Sequence, residues 1–283
     1  MTRAMLITHT HPETSSDAVA AAVAATVEAA QTASVQLVST ADEHEKHGDA
    51  AAGIEVVEDG ERPDICIVLG GDGSILYALR RFADTRVPVF GVNYGTIGFL
   101  AAVERGDLAD GLDRAFRADF VALDLPALRV DLPVKRPVAL NDVSFVRRPH
   151  GRVAELSYAI GEEEVGSVRC DGLVAATPAG STGYNLANAG PILAWGVKGY
   201  VVSFIAPHTL AARALVVAPD DTLQVRNAAG REPVEIALDG EAAGELAPGD
   251  ALEISFEESV SRLAQLPGAN FYHRIREKFG KLA

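Results

Sequence analysis

The stretch Asp64-Ile-Cys-Ile-Val-Leu69, running straight into Gly70-Gly71-Asp72-Gly73-Ser74, constrains the fold more than any other part of this chain. A continuous apolar run of this kind is expected for a strand buried on both faces, and such strands belong to parallel sheets covered by helices. The helix-like segment Ser74 to Phe82 follows at once, and Val87-Pro-Val-Phe-Gly-Val92 is a second buried strand ending at Asn93. Upstream lie a short apolar run, Ala4 to Thr8, an Ala/Val-rich helical segment over Glu13 to Ala33, and a strand around Val35 to Val38. Asp42 to Asp49 is polar and His/Glu-rich and reads as a solvated loop. Strand, loop, helix and strand in this order predict an open α/β sheet, with ligands beyond the carboxyl ends of its strands.

The texture changes near residue 120. Val121 to Val130, Val138 to Arg147, Val153 to Ile160, Tyr200 to Ile205, Thr222 to Val225, Val234 to Leu238 and Ala251 to Phe256 are short, β-rich and punctuated by Gly, Pro and Asp. That spacing predicts antiparallel β structure. The expected organisation is therefore an N-terminal Rossmann-like α/β domain over 1–120 and a β-rich domain over 121–265. A basic, amphipathic segment over 266–283, helical from Asn270 to Lys281, returns to the first domain.

Charge narrows the function. With 25 basic and 39 acidic side chains the formal net charge is −14, so nothing draws the chain to nucleic acid or to an anionic membrane. Apolar runs such as Tyr200 to Ala206 fall far short of the roughly 20 residues that span a bilayer. Thr8, His9, His11, Glu13 and Ser15 interrupt any signal-peptide pattern. Cys66 and Cys170 sit far apart with no metal-ligand or redox spacing. A cytoplasmic protein is expected, in which any phosphate chemistry is local.

Three segments are candidates to carry it. In Gly70-Gly71-Asp72-Gly73, glycines let the backbone approach a phosphate closely while a carboxylate stands at a strand end. The same residues also read as a tight turn in which Asp72 caps the next helix. Asn93-Tyr-Gly95-Thr-Ile-Gly98-Phe99-Leu100 again places glycines at a strand's carboxyl end, which taken alone reads as a structural tight backbone sooner than a functional one. Asp171-Gly172 leads into Thr177-Pro178-Ala179-Gly180-Ser181-Thr182-Gly183-Tyr184-Asn185. This loop offers hydroxyl and backbone donors with one aromatic face, the groups that hold a nucleoside, or else it is a surface turn cluster. Neither a GxxxxGK[ST] loop nor a GxGxxG turn after a strand occurs.

Together these blocks resemble the NAD kinase family, enzymes that make NADP from NAD. Six appear in the family's order: Gly70 to Gly73 with Arg80 behind it, Asn93 to Leu100, Asn141-Asp142, Asp171 to Tyr184, Pro207-His208-Thr-Leu210 with Arg213, and Leu238-Asp239-Gly240. Asp142 replaces the usual Glu, Ala179 and Gly183 replace a Thr and an Ala, and Glu241 stands where a Gln is frequent.

The resemblance implies roles as well as an activity. Asp72 would be the base that accepts the proton of the adenosine ribose 2′-hydroxyl, an alcohol too weak a nucleophile unaided. Gly73, Asn141, Asp142, Arg152, Arg169, Asp171 and the run Thr182, Gly183, Tyr184, Asn185, Leu186 and Ala187 would hold NAD. Both arginines also read as solvated surface charges, Arg169 being better anchored beside Asp171. A charged residue at 169 tends to accompany ATP, and glycine there polyphosphate, so ATP is the expected donor. No protein metal site is implied; Mg²⁺ is expected, held mainly by nucleotide phosphates. The family forms homo-oligomers, so a dimer or tetramer is expected. His208 is read as structural, and His44 and His47 lie in a charged loop that is not read as a metal site. A GGDG turn also occurs in phosphofructokinases and lipid kinases. Against the first, this N-terminus lacks a glycine-rich phosphate loop after its first strand and has His9-Thr-His-Pro12 instead; the second leave Asn93 to Leu100 and Thr177 to Tyr184 unexplained. A non-catalytic nucleotide sensor on the same fold is a further reading, opposed by the intact Asp72.

Overall fold

In the computed structural model, residues 2–9, 17–228 and 231–280 are described. The chain divides into two compact units, one made of Met1–Asp124 with Ser261–Ala283 and the other of Leu125–Val260.

The first unit is built on parallel strands: β1 (Arg3–Ile7), β2 (Gln36–Thr40), β3 (Glu55–Val57), β4 (Ile65–Gly70) and β5 (Pro88–Asn93), lying side by side in the order β5-β4-β1-β2-β3. Every residue of β4 is buried, as its unbroken apolar run requires. The two-residue strand β6 (Val103–Glu104) pairs parallel with the last two residues of β5, Val92 opposite Val103, and residues 262–263 pair parallel with the start of β5, Arg262 opposite Pro88. Helices α1 (Asp17–Thr32), α2 (Ala41–Glu45), α3 (Asp72–Arg81) and α4 (Leu108–Phe116) connect the strands. Helix α1 buries Val19, Ala22, Val23, Thr26, Val27 and Ala30, one helical stripe. It was expected from Glu13; residues 10–16, like Lys281 at the far end of the expected C-terminal helix, lie outside the described residues.

One expectation fails here. Asp42 to Asp49 is not a solvated loop: it forms α2 and a 3₁₀ turn, Gly48–Ala51, around a buried Glu43. The Glu43 carboxylate accepts from the Thr8 amide at 2.8 Å and the Lys46 ammonium at 2.8 Å, and also from the Thr8 hydroxyl. Burial raises this carboxyl, and bonds from His47, Lys46 and Thr8 outweigh it, so the group lies below its ordinary range. Polar composition misled because these charges pair with each other across the end of β1.

The second unit is antiparallel. Strands β7 (Val121–Val130) and β8 (Val138–Ala139) pair with each other, Leu128 opposite Ala139. One group then runs β9 (Asp142–Arg147), β12 (Gly172–Ala176), β13 (Tyr200–Ile205), β14 (Leu215–Val217), β16 (Val234–Leu238) and β17 (Glu241–Leu246), in the order β14-β13-β12-β9-β16-β17. The other is β10 (Ala154–Ile160), β11 (Glu163–Cys170), β15 (Leu223–Asn227) and β18 (Ala251–Gln265), in the order β11-β10-β15-β18. Phe145, Leu173, Tyr200 and Ile236 of the first group meet Leu156, Leu223, Val225 and Ile254 of the second in one core. Helix α5 (Tyr184–Ala187) is a single turn in this unit, and α6 (Phe271–Phe279) returns the chain to the first. Strand β18 was expected to end at Phe256; its last residues are the ones that pair with β5. Both cysteines are buried free thiols. Among the described residues no helix is long and apolar enough to cross a membrane.

Candidate active site

Asp72 is the first residue of α3 and lies one residue, Gly71, beyond the end of β4. The chain turns through Gly70 and Gly71, and Gly71 lies against Gly95 so closely that a Cβ on Gly95 would sit 2.8 Å from the Gly71 Cα. Two loops cross glycine on glycine. Asp72 does not cap its own helix. Its carboxylate reaches the other loop, accepting from the Phe99 amide at Oδ2 and from the Leu100 amide at Oδ1, both at 2.8 Å. The two motifs read separately in the sequence are thus one structure.

The partner loop is held from within and from behind. Asn93 accepts from the Gly95 amide at 2.9 Å and donates to Glu104 at 2.8 Å. At Gly98, with φ +66°, a Cβ would sit 2.2 Å from the Asn93 side-chain nitrogen, so only glycine fits. Behind the loop, the guanidinium of Arg274 in α6 donates to the Phe99 and Ala101 carbonyls at 2.8 and 2.7 Å. Gln265 donates to the Leu100 carbonyl at 2.9 Å. Asp72 remains half-buried, and each oxygen, with one amide bound, keeps acceptor capacity for a hydroxyl. Gly73 is exposed with open space beside it.

In the second unit Asn141 and Asp142 are positioned by an aspartate. The Asp239 carboxylate accepts from the amides of Leu140, Asn141 and Asp142 at 3.0, 2.6 and 3.1 Å. Asp239 adopts φ +53° in the turn before Gly240, which aims its side chain back along the neighbouring strand end. Thr177 completes the clamp: its amide donates to the Asn141 carbonyl at 2.9 Å, and its hydroxyl donates to the Leu140 carbonyl at 2.6 Å. Gly180 packs onto the same Asn141 carbonyl, 2.0 Å from where a Cβ would stand. The Asp142 side chain is buried and makes no hydrogen bond to another described residue. Burial first, and then the charge of Asp239, push its carboxyl up to about 7.

The remaining expected residues fall into three groups. Tyr184 is exposed at the head of α5, and its hydroxyl, raised chiefly by burial, also feels the charges of Asp142 and Asp171. Those three therefore gather with Asn141. Asp171 is held by Arg147, Nε to Oδ1 at 2.6 Å and Nη2 to Oδ2 at 3.3 Å, which keeps its carboxyl below the ordinary range. Thr182 donates back to the Ala179 carbonyl at 3.1 Å, Gly183 and Ala187 are exposed and Leu186 is half-buried. Asn185 is fully buried, its amide donating to the Ser181 and Pro191 carbonyls at 2.9 and 3.0 Å, so it scaffolds the loop. Arg152 and Arg169 are exposed, and neither side chain bonds another described residue. Arg152 shares a shallow hollow with Arg147, Arg148 and Arg231. Asp72 and Gly73 belong to the first unit and all the others to the second. Among the described residues no three His, Cys, Asp or Glu side chains converge as a metal site.

Four further residues build this machinery without having been singled out for it: Asp239, Thr177, Arg147 and Arg274. The first two stand inside recognised blocks, where a carboxylate before glycine and a hydroxyl before proline are turn signals. Arg147 and Arg274 carry no local signal at all.

Comparison with known proteins agrees with this architecture. The chain matches the ATP-NAD kinase N-terminal domain over residues 9–120 and the ATP-NAD kinase C-terminal domain over residues 140–265. It is 38% identical over 220 residues to a NAD kinase of Symbiobacterium thermophilum, covering 76% of this chain and 78% of that protein. It is 35% identical over 238 residues to one of Gemmatimonas aurantiaca, covering 80% and 82%. Among solved structures, yeast NADH kinase complexed with NADH superposes with a TM-score of 0.85 at 20% identity, over 100% of this chain and 89% of that one. A NAD kinase from Archaeoglobus fulgidus in complex with ATP gives 0.72 at 20% identity, over 98% and 97%. Those two likenesses establish the fold; the sequence matches go further, and this chain belongs to the NAD kinase family.

Proposed function

We propose that this protein transfers the γ-phosphoryl group of ATP to the 2′-hydroxyl of the adenosine ribose of NAD, giving NADP. The observation that carries this reading is the Asp72 carboxylate, anchored by two backbone amides at a strand end yet left half-exposed. Asp72 accepts the hydroxyl proton as the oxygen attacks phosphorus; the anchoring amides keep it in one orientation, which is what a general base needs. Asn141, Asp142, Asp171, Arg152, Arg169 and the run from Thr182 to Ala187 hold NAD, and Gly73 leaves room for the sugar and phosphates. The Asp142 carboxyl, pushed up to about 7 by burial and the charge of Asp239, can offer the nucleotide a donor when protonated and an acceptor when not.

In this reading a divalent ion is carried mainly on the nucleotide phosphates, a load the Asp72 oxygens can share. Such an ion, Mg²⁺ in this reading, supplies charge neutralisation on the donor. ATP rather than polyphosphate is the proposed donor, supported by the ATP complex of the Archaeoglobus relative and by the charged Arg169. The reading includes a cytoplasmic enzyme and a homo-oligomer, dimer or tetramer.

The decisive experiment incubates the protein with NAD, ATP and Mg²⁺ and follows NADP. Formation of NADP supports the reading. Preferred phosphorylation of fructose 6-phosphate or of a diacylglycerol, or NAD binding without turnover, overturns it.

A further inference from the structure

We propose that Arg274 is a positioning residue for phosphoryl transfer: through the Phe99–Leu100 peptide it fixes the Asp72 carboxylate in its working orientation. This rests on the role of Asp72 as base proposed above.

The peptide unit between Phe99 and Leu100 is a rigid plane whose two polar groups are the Phe99 carbonyl and the Leu100 amide. The carbonyl accepts from Arg274 Nη1 at 2.8 Å, and the amide donates to Asp72 Oδ1 at 2.8 Å. A cation and an anion therefore grip opposite ends of one plane, and each polarises it in the sense that strengthens the other bond. The neighbouring peptides reinforce the arrangement. Arg274 Nη1 also reaches the Ala101 carbonyl at 2.7 Å, and Nη2 donates to Gln265 Oε1. Gln265 in turn donates to the Leu100 carbonyl at 2.9 Å. Three successive carbonyls thus face the C-terminal segment, while two successive amides face Asp72.

Docking α6 does not by itself require this use of Arg274. The helix has its own anchors: the Phe99 ring packs against Phe271 and Phe279 with centroids 6.0 and 6.1 Å apart. Lys278 pairs with Glu104 at 2.9 Å. The Arg274 guanidinium feels the charges of Asp72, Glu277 and Glu104, and it donates to two backbone carbonyls and an amide side chain. A planar fork spans two carbonyls and the Gln265 oxygen at once; an ammonium serves them one point at a time.

The test compares R274M, R274K, D72N and the double variant D72N/R274M in steady-state phosphorylation of NAD by ATP. NAD binding is measured calorimetrically on each to give the folded, competent fraction. Loosening a base by about 1 Å costs on the order of 10²-fold, so R274M is expected to lose roughly 10- to 100-fold in kcat with the KM for NAD within about twofold. R274K is expected to lose less, about 3- to 10-fold, because it keeps the charge without the fork. The double variant is expected to be no slower than D72N, since an effect that runs through Asp72 vanishes without it. Should R274M fail to fold, R274K with wild-type kcat overturns the proposal. So does a wild-type kcat in folded R274M, or losses that multiply in the double variant. If instead D72N itself turns over at near wild-type rate, the base assignment fails, and that outcome is distinct from a D72N collapse beside an unaffected R274M. The exposed Arg276 of the same helix is the control, with R276A expected at wild-type activity.

Discussion

Two aspartates of this molecule have been given opposite environments. Asp72 is half-exposed and takes an amide on each oxygen, and those amides belong to peptides held from behind by Arg274 and Gln265. Asp142 is buried, makes no hydrogen bond through its carboxyl to another described residue, and faces the charge of Asp239, which has collected the nearby amides for itself. Burial and the neighbouring charge favour the protonated form of the Asp142 carboxyl. The contrast is one of burial and neighbouring charge at Asp142 and of backbone amides at Asp72.

The sharpest way to break this contrast is to remove the exposed carboxylate. Asp72→Asn preserves the shape and one acceptor oxygen, and kcat is expected to fall by roughly 10²–10⁴-fold while NAD still binds. Turnover within a few-fold of wild type would show that Asp72 is not the base. The next effect in size comes from the amide collector. Asp239→Ala strands three backbone donors at once, so denaturant unfolding is expected to show a loss of about 3 kcal/mol, with a raised KM for NAD as Asn141 and Asp142 lose their register. Full stability in that variant would mean the clamp is dispensable. The smallest effect sharpens the buried member. The Asp142 carboxyl is raised from 3.8 to about 7. Between those values the native state keeps a proton that the unfolded chain has released. This group's contribution to stability therefore falls as pH rises from about 4 to about 7, then levels. Asp142→Asn, neutral throughout, is expected to remove that slope, read as thermal midpoints across the same range. An unchanged slope would place the titration elsewhere.

How much of this was legible depended on how far apart the cooperating residues lie. Strand β4 and the turn after it announce themselves within ten residues, because burial on both faces writes an apolar run and a tight turn writes glycines. The long β7, β13 and β16 were bounded as they stand, since Pro, Gly and Asp mark their ends. Strand β12 was hidden because Gly172 to Ala176 was read as the approach to a Gly/Ser/Thr loop, although every residue of it is buried. Glu43 was hidden for the opposite reason: its partner Thr8 lies 35 residues upstream, so a buried ion cluster looked like a wet loop. At the site, Asp72 and Asn141 each stood out within a block of their own. That Asp72 is held by Leu100, and Leu100 in its turn by Gln265, is a statement about positions 28 and 165 residues apart, which local spacing does not encode.

The first unit is assembled from both ends of the chain, with Leu125–Val260 inserted between them. Synthesis therefore completes the inserted unit first, reversing the usual order in which N-terminal domains finish ahead of those that follow. Until residues 261–274 have left the ribosome, β5 lacks a partner beside Pro88 and the Phe99–Ala101 carbonyls lack theirs. The nascent sheet waits with an open edge, and the loop that holds Asp72 gains its backing only when α6 emerges.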